Sequence, residues 1–422
     1  MFDQHVHSSF SFDSNEGLEN YINVCNENDI ITTEHLDLDN PIINYKDSLF
    51  DYLKYVGQVE NLNKRYPNKF FSGIEIGYTQ KTEKRIEEFL KDKNFNLKLL
   101  SIHQNGNYDY MCVNKKLISL EVLIQEYFEQ MIQALESSIE FNVLAHFEYG
   151  LRMIDISVTD FDNLASVFLN KIIELIVKKE IAFEVNTKSM YKYKKENLYS
   201  YMIEKYLKKG GKLFTLGSDA HNIKDYAYKF DEAKKFLLNK NIKEIILNKF
   251  DNKPHSQVKA LEIGAGDGIL AILLSEHFSK IDCIDSSSGM REEFLKNKEK
   301  FMTENIFIYD ESFLSDNVHR YDLIYSQKAF HHIVDIEAEL RSLKEVIDKD
   351  GVFYLIDLCT VPREFHNDFP DFDGHDGFSK DEIYTYFENT GWEVTDYEII
   401  MQGKRNGIDF SMFMAVGKVK QQ

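Results

Sequence analysis

The sequence predicts an α/β protein with two domains, a parallel βα barrel followed by a doubly wound sheet. Three observations lead to this prediction. Short apolar runs alternate with longer amphipathic segments along the chain. Metal-ligating residues follow seven of these runs in succession, and a glycine-rich turn opens a fresh βα series after residue 258. At 422 residues, the chain also exceeds one ordinary core and suits two domains.

In the first part of the chain, strand-like runs are separated by segments with helical periodicity, such as Leu120–Ile139 and Leu164–Lys178. Parallel strands that are buried on both faces form continuous apolar runs. The predicted strands are Ile30–Thr33, Phe70–Ile76, Leu97–Ile102, Asn142–Ala145, Ile181–Val185 and Leu213–Gly217. This alternation predicts a βα repeat.

Potential metal ligands stand at the ends of seven apolar runs. The seven segments are Asp3–His7, Thr33–His35, Gly73–Glu75, Ser101–His103, Ala145–His146, Val185–Asn186 and Ser218–His221. A lone histidine is more often a surface or core residue than a ligand, but seven successive strand ends are not explained that way. Because the C-terminal ends of barrel strands converge, ligands far apart in sequence can bind shared ions. The sequence therefore predicts a multinuclear metal centre.

The chemistry of these residues suits phosphate ester hydrolysis. His5 and His7 point to the same side of a strand, so both imidazoles can reach one cation. Glu75 and Asp219 can bridge ions, and the planar guanidinium of Arg152 suits phosphate. Two or three divalent ions close together lower the pKa of a shared water and stabilise the leaving oxygen.

Through these motifs, residues 1–250 resemble the PHP family of phosphoesterases, in its histidinol-phosphatase branch. The resemblance implies a distorted (β/α)7 barrel with a trinuclear centre of divalent Zn, Mn or Fe ions, although two ions remain an alternative. It implies three metal positions, held by His5, His7, Glu75 and Asp219, by Glu75, His103 and His146, and by Asp13, His35 and His221.

The same resemblance assigns catalytic roles to Glu75 and Asp219 and makes Arg152 the phosphate-binding arginine. Asn186 is expected to support the rim of the site, or to form a turn after its strand. Glu148 stands where the family usually has Asp, and the segment 188–193 lacks the usual small-residue and proline pattern. These departures leave the substrate open.

A polar stretch at residues 251–257, which includes Pro254, is the predicted linker between domains 1–250 and 258–422. The strands predicted after it are Lys259–Ile263, Lys280–Ile284, Ile306–Ile308, Tyr321–Ser326, Gly351–Ile356, Trp392–Met401 and Phe410–Gly417. Short helices fit between the first five, and the last two resemble a hairpin. This pattern predicts a doubly wound sheet.

The first strand of this second series leads into Gly264, Gly266 and Gly268, which let a ligand approach the backbone where a helix begins. Asp285 ends the next strand and can accept hydrogen bonds from both hydroxyls of a ribose. An NAD site favours the spacing GxGxxG, whereas the tighter spacing here suits a cofactor without phosphates.

Residues 258–418 resemble the class I S-adenosylmethionine-dependent methyltransferases, through this turn and the segments 285–290, 309–311, 321–326 and 330–333. The resemblance implies a Rossmann-like fold that binds S-adenosylmethionine, with Asp310 at the adenine edge. The expected cofactor-binding residues are Glu262, Gly264, Gly266, Gly268, Asp285 and Asp310.

The sequence says less about the methyl acceptor than about the cofactor. His331 and His332 follow the fourth strand and are the predicted catalytic residues, one of them as a base, although capping or packing is an open alternative. The segment Gly374–Phe378 resembles a lid or pocket loop of small-molecule methyltransferases.

The distribution of charge along the chain limits the classes of binding partner that we expect. The net charge is −20, from 33 basic and 38 acidic residues in 1–257 and 17 and 32 in 258–422. An acidic second half argues against a nucleic-acid partner. We therefore expect a small phosphate ester and a small methyl acceptor.

Four scattered cysteines without a CxxC pair, and the absence of a long apolar run, favour a cytoplasmic protein without a membrane partner. The predicted function is a bifunctional phosphatase and methyltransferase. Two alternatives remain open: one domain binds or senses a ligand while only the other catalyses, or the barrel cleaves phosphodiesters.

Overall fold

The computed structural model describes residues 2–25, 28–113, 118–250, 253–316, 320–367, 372–405 and 407–420. The chain divides into two compact units, Met1–Leu237 and Leu238–Gln422. The division falls inside a helix, since Leu237 belongs to the core of the first unit and Ile242 to a core of the second. The linker predicted at residues 251–257 remains a prediction.

The first unit is built on one seven-stranded sheet. Its strands are β1 (Ile30–Asn40), β2 (Lys46–Ser48), β3 (Phe70–Gly77), β4 (Leu97–Ser101), β5 (Val143–Leu144), β6 (Ala182–Asn186) and β7 (Phe214–Gly217). The sheet order is β2-β1-β3-β4-β5-β6-β7, parallel except for β2, which pairs antiparallel with β1 at the edge. Its helices are α1 (Tyr52–Arg65), α2 (Glu83–Leu90), α3 (Leu120–Glu136), α4 (Val158–Lys178), α5 (Glu196–Lys208) and the start of α6 (Phe230–Lys249).

The N-terminal segment closes this sheet into a barrel. Asp3 forms a parallel bridge with Leu216 of β7, and on the other side the N–H of Thr33 in β1 donates to the carbonyl of Val6 at 2.8 Å. The carboxylate of Asp3 holds the junction, because it accepts hydrogen bonds from the N–H groups of Ser218 and Ala227, both at 2.9 Å. With this segment, seven parallel strands surround the core, and the predicted barrel is confirmed.

The helices of the barrel follow from simple sequence signals. In α4, Phe161, Ala165, Leu169, Ile172 and Ile176 recur every three or four residues and are all buried against the sheet core. Ser157 begins that helix by accepting a hydrogen bond from the N–H of Asp160 at 3.0 Å. These helices cover the outside of the sheet, so the strand ends carry the polar residues of the site.

The second unit contains another seven-stranded sheet. Its strands are β8 (Lys259–Ile263), β9 (Lys280–Ile284), β10 (Ile306–Tyr309), β11 (Tyr321–Gln327), β12 (Ile347–Leu358), β13 (Trp392–Arg405) and β14 (Ile408–Val419). The order is β10-β9-β8-β11-β12-β14-β13, in which the first five strands are parallel. Strands β13 and β14 form the predicted antiparallel hairpin.

Apolar layers cover both faces of this sheet. Successive residues of β12 alternate between them, since Val352, Tyr354 and Ile356 pack in one core and Phe353 and Leu355 in the other. The helices are α7 (Ile269–Ser275), α8 (Ser288–Lys300), α9 (Phe313–Asp316), α10 (Ile336–Val346) and α11 (Lys380–Asn389). The doubly wound prediction is confirmed.

The main departure from the predicted elements is β1, which was expected to end at Thr33 but continues to Asn40. Its extension carries His35 and Asp37, which are polar and yet buried, so the apolar run stops before the strand does. The short strand β2 was not predicted. No helix of the described part of the chain is long and apolar enough to cross a membrane.

Candidate functional sites

Glu75 is the central residue of the first site. It belongs to β3 and is 1% exposed. Its Oε1 lies 2.7 Å from Nε2 of His146 and 3.1 Å from Nε2 of His103. Its Oε2 lies 3.3 Å from Nε2 of His5 and 3.3 Å from Nε2 of His7. One carboxylate therefore has different imidazoles at each of its two oxygens.

Several of these facing atoms have no hydrogen-bond partner although they are buried. They are Nε2 of His5, Nε2 of His7, Nδ1 of His35, Nδ1 of His146 and Oε2 of Glu75. Leaving one buried polar group unsatisfied costs about 1–3 kcal/mol, so several together call for an explanation. Three of the four nitrogens, those of His5, His7 and His35, converge on Oε2 of Glu75, which is the arrangement expected of ligands around cations.

Three groups of side chains in this region bring their potential ligand atoms within 4.8 Å of one another. The groups are His5, His7 and Glu75, then His35, Glu75 and His103, and then His7, His35 and His221. They overlap through His7, His35 and Glu75, so any ions bound here would be close together. The described residues thus offer a multinuclear site.

The outer part of the site is formed by Asp13, Asp219 and His221. Oδ2 of Asp13 lies 3.1 Å from Nε2 of His221 and 3.5 Å from Nε2 of His35. Oδ1 of Asp219 lies 3.5 Å from Nδ1 of His221 and 3.9 Å from Nε2 of His7. All nine predicted metal ligands therefore meet at the C-terminal end of the barrel.

His35 lies between two of the metal positions that the family resemblance implies. The family resemblance places it with Asp13 and His221, but its Nδ1 lies 3.2 Å from Oε2 of Glu75. Its ring also stacks on that of His7 with 4.3 Å between centroids. How the ligands divide among ions remains a prediction.

Two buried carboxylates that sequence reasoning missed orient these histidines. Asp37 contacts Nδ1 of His103 at 2.9 Å and Nδ1 of His35 at 3.2 Å. Glu184 contacts Nδ1 of His5 at 2.6 Å and accepts from the N–H of His146 at 2.7 Å. Asp37 could have been found from its spacing, because it lies two residues after His35 and therefore on the same side of the strand.

The same neighbours set the protonation of the carboxylates. Burial alone raises the pKa of Asp37, but the imidazoles of His103 and His35 outweigh it and bring the pKa to about 2. Burial also opposes ionisation of Glu75, yet His5, His35 and His103 hold its pKa well below the usual range. Both groups are anionic in this arrangement and suited to cations.

Arg152 is a buried cation beside Asp219. Its Nη2 lies 3.3 Å from Oδ2 of Asp219 and donates to Oγ of Ser189 at 2.7 Å. The guanidinium stacks between the rings of Tyr149 and Tyr193, with 4.9 Å and 5.1 Å to their centroids. These contacts fix the plane of the fork.

Lys188, which the sequence analysis did not assign, adds a second cation. Its Nζ lies 3.0 Å from the carbonyl oxygen of Asp219 and 3.1 Å from Oδ1 of the same residue. Arg152 and Lys188 both line a cavity of about 160 Å³ together with Glu75 and Asp219. The apolar part of its wall includes Phe12, Ile42 and Met111.

Asn186 and Glu148 contact the residues next to Arg152 and Lys188. Oδ1 of Asn186 accepts from the N–H of Ser189 at 2.9 Å, at the start of the π-helix Lys188–Lys192. Glu148 lies 3.4 Å from Nε of Arg152 and accepts from the hydroxyl of Tyr199 at 2.8 Å. Asn186 therefore acts as a turn-forming residue next to the two cations.

The second site begins at the glycine-rich turn after β8. Gly264, Gly266 and Gly268 have φ of 71°, 55° and 77°, a region that favours glycine. A Cβ on Gly264 would lie 2.1 Å from Cβ of Ala329, whereas one on Gly266 would meet nothing within 4 Å. The turn therefore packs closely at its start and is open at its centre.

Asp285 follows β9 and faces this turn. Its Oδ2 accepts from the N–H of Gly266 at 2.7 Å, and its Oδ1 accepts from the N–H of Ser287 at 2.9 Å. The carboxylate thus lies at the open centre of the turn, and its role toward a ribose remains a prediction.

Glu262 and Asp310, the other two acids expected to bind the cofactor, differ in burial. Glu262 is 2% exposed and contacts the hydroxyl of Tyr325 at 3.3 Å and Sγ of Cys283 at 3.8 Å. Burial raises its pKa to about 8, against the lowering effect of the Tyr325 hydroxyl. Asp310 is exposed and accepts from the N–H of Ser312 at 3.0 Å. Their cofactor roles remain predictions.

His331 and His332 lie in a short 3-10 helix after β11 and have different environments. His331 is buried, and its Nδ1 lies 2.6 Å from Oδ1 of Asp357. His332 is exposed, with its ring centroid 4.2 Å from that of His331. Sequence reasoning missed Asp357, which lies inside an apolar strand.

Comparison with known proteins finds a family match in each of the two parts of the chain. The family model of the PHP domain matches residues 3–188, and that of a methyltransferase domain matches residues 220–397. A probable histidinol-phosphatase of Clostridium acetobutylicum is 30% identical over 254 residues, which are 59% of this chain and 97% of that protein. An uncharacterized methyltransferase of Staphylococcus carnosus is 26% identical over 147 residues, which are 33% of this chain and 68% of that protein.

A solved structure supports the fold of the first unit. The crystal structure of histidinol phosphate phosphatase from Lactococcus lactis, complexed with Zn, L-histidinol and phosphate, covers 56% of this chain and 92% of that chain. The TM-score is 0.50 at 24% sequence identity, so the likeness concerns the fold.

Proposed function

The chain belongs to the histidinol-phosphatase branch of the PHP family and also has a methyltransferase domain, and we propose that it is a bifunctional enzyme. The barrel hydrolyses a phosphate monoester, and the second unit transfers a methyl group from S-adenosylmethionine to a small acceptor. The observation that carries the first half is the set of unpartnered buried atoms around Oε2 of Glu75.

The donor set fits two or three divalent cations of the Zn, Mn or Fe type. Imidazole nitrogens and carboxylate oxygens are ligands that these ions accept, and the three overlapping groups would hold them close together. Bound ions would lower the pKa of a water molecule that attacks phosphorus and would stabilise the leaving oxygen. Asp37 and Glu184 would keep the histidines in position.

The phosphate would be held by the two cations beside Asp219. The flat guanidinium of Arg152 can give two parallel hydrogen bonds to phosphate oxygens, and Lys188 supplies a point charge. Stacking on Tyr149 and Tyr193 keeps the guanidinium from rotating. Histidinol phosphate is the substrate that the relatives suggest, and cleavage of a phosphodiester in the same cavity is the alternative.

In the second unit, the open centre of the glycine turn and Asp285 support binding of S-adenosylmethionine. Asp285 accepts two backbone hydrogen bonds through different oxygens, and each oxygen keeps a lone pair for a ribose hydroxyl. The alternative is a unit that binds the cofactor as a sensor without transferring a methyl group.

The test is a hydrolysis screen on protein of measured metal content, with histidinol phosphate among other monoesters and a bis(nitrophenyl) phosphodiester. We expect release of inorganic phosphate from monoesters and its loss on chelation. Release from the diester alone would favour the alternative, and equal rates in metal-free protein would contradict the proposal.

Calorimetry with S-adenosylhomocysteine tests the second unit without knowledge of the acceptor. We expect binding that Asp285→Ala weakens at least about tenfold, since charge-assisted hydrogen bonds are worth roughly 1.5–3 kcal/mol each. Equal affinity in the variant would remove the ribose role of Asp285. Binding of NAD in place of S-adenosylhomocysteine would overturn the assignment.

A further inference from the structure

A buried Asp–His pair lies at the C-terminal edge of the second sheet. Asp357 is fully buried in β12, and its Oδ1 lies 2.6 Å from Nδ1 of His331. Oδ1 also accepts from the N–H of Leu358 at 2.7 Å, while Oδ2 accepts from the N–H of His331 at 3.2 Å. The carboxylate is thus fixed by backbone groups and in turn fixes the imidazole ring.

This contact determines which nitrogen of His331 carries the proton. A carboxylate accepts, so Nδ1 donates and the lone pair resides on Nε2. Nε2 of His331 makes no hydrogen bond to any residue that the structure describes. An imidazole held by a carboxylate in this tautomer, with its second nitrogen unpartnered, has the geometry of a general base.

The pair is next to the glycine turn. Strands β8 and β11 are parallel neighbours, with Ile263 opposite Ser326, so the segments that follow both strands emerge side by side. They touch where Gly264 meets Ala329, because a Cβ on that glycine would lie 2.1 Å from Cβ of Ala329. His331 is two residues further along the chain. The base is therefore beside the proposed binding site of the methyl donor.

Other rings surround His331. The ring centroid of His366 is 5.8 Å away, and that ring stacks on Phe372 at 3.9 Å and an angle of 10°. Among the described residues, Nε2 of His366 is buried without a hydrogen-bond partner, and it lies 3.9 Å from Oδ1 of Asp376. The N–H of His375 donates to the carbonyl of His331 at 2.7 Å and holds the loop against this cluster.

We propose that His331 is the general base of methyl transfer, that Asp357 is its positioning residue, and that the acceptor group is a neutral hydroxyl or azole N–H. This rests on the methyltransferase function proposed above. A carboxylate or thiolate acceptor already has its electron pair available and would need no such base.

The acceptor O–H or N–H bond breaks, and its proton passes to Nε2 of His331. The electron pair left behind forms the bond to the methyl carbon of S-adenosylmethionine. The bond from that carbon to sulfur breaks, and its electrons remain on sulfur to give neutral S-adenosylhomocysteine. The imidazolium of His331, stabilised by Asp357, then releases the proton to water.

The test uses the full chain, S-adenosylmethionine and a series of para-substituted phenols and azoles of similar shape but different acidity, beside an aliphatic amine and a thiol. We expect the wild type to methylate weakly acidic members of the series. His331→Ala should lose about 100-fold or more on these, as removal of a general base does, and much less on 4-nitrophenol, which is largely ionised at mildly alkaline pH.

His332→Ala tests the other histidine predicted to be catalytic, an exposed imidazole next to His331. Asp357→Asn adds a spectroscopic test, since nitrogen NMR of labelled histidine should show the His331 tautomer change while S-adenosylhomocysteine still binds. Equal losses across all acidities, or a loss in His332→Ala as large as that in His331→Ala, would overturn the role of the base.

Two further results separate this inference from the proposed function. A wild type that binds S-adenosylhomocysteine but methylates only the amine or thiol, or no member of the panel, would overturn the acceptor class. A wild type that does not bind S-adenosylhomocysteine would instead remove the methyltransferase function itself.

Discussion

The two sites of this chain use different parts of the polypeptide. At the barrel, side chains from strand ends converge on Glu75 and leave buried nitrogens and an oxygen without partners. At the glycine turn, the ligand-facing surface is mostly backbone, shaped by positive φ and by the absence of Cβ atoms. The first site is therefore sensitive to the chemistry of each side chain, and the second is sensitive to added volume.

The largest expected effect is at Glu75. Glu75→Gln keeps the shape but removes the charge that the surrounding imidazoles face, so metal content and nearly all phosphatase activity should be lost. Metal analysis and phosphate release measure this, and binding of S-adenosylhomocysteine should persist. Glu60→Gln on the exposed side of α1 is the control. Full activity in metal-depleted Glu75→Gln protein would refute the contrast between the two sites.

The next largest effect tests volume at the glycine turn. Gly264→Ala would put a methyl group 2.1 Å from Ala329 at a positive φ, which should cost roughly 1–3 kcal/mol and abolish measurable binding of S-adenosylhomocysteine. Gly266→Ala also has a positive φ but meets nothing within 4 Å, so it separates backbone strain from steric overlap. Similar affinities of Gly264→Ala and wild type would contradict this account.

A smaller effect is expected at Arg152. Arg152→Lys keeps the charge but loses the flat fork between Tyr149 and Tyr193, so inhibition by inorganic phosphate should weaken about tenfold while metal content is unchanged. Arg85→Lys is the control, because Arg85 is exposed and pairs with Asp39 and Asp47. Unchanged phosphate inhibition in Arg152→Lys would remove its assigned role.

The smallest effect concerns Glu262 and pH. Because burial raises the pKa of this carboxyl from 4.5 to about 8, the folded state holds a proton that the unfolded chain releases. Its contribution to stability is present below pH 4.5 and is lost as pH rises through about 8. Glu262→Gln should flatten this dependence and raise the Tm of the second unit above pH 8 by about 2–4 °C, for about 1 kcal/mol.

Thermal unfolding followed at several pH values measures that change. The control is Glu388→Gln, which alters a surface carboxylate on α11. A Tm that falls equally with pH in wild type and Glu262→Gln would show that this carboxyl is already ionised in the fold.

Much of the two candidate sites could be predicted from the sequence, because the binding of a given ligand requires particular residue types. A barrel that binds cations needs histidines and acids at its strand ends, so the nine candidate ligands were visible in the sequence, and so were the three glycines. The confirmed strands were readable for a similar reason, since buried parallel strands are apolar throughout.

What the sequence could not provide is which distant residues the fold brings together. Asp37, Glu184 and Asp357 are single acids within strands, and their roles follow from facing His103, His5 and His331 across the sheet. Lys188 had no signal, because lysines are usually solvated. Its contact with Asp219 arises from the π-helix after β6.

The junction between Asp3 and Ser218 also sets an order of events during synthesis on the ribosome. The two residues are 215 positions apart, so the N-terminal segment that carries His5 and His7 cannot pair with β7 until that strand has emerged. At roughly 5–20 residues per second, the nascent chain waits on the order of ten to forty seconds before the barrel can close. Ions that bind the partial set of histidines in that interval would meet a site whose last two proposed ligands, Asp219 and His221, arrive together with the closing strand.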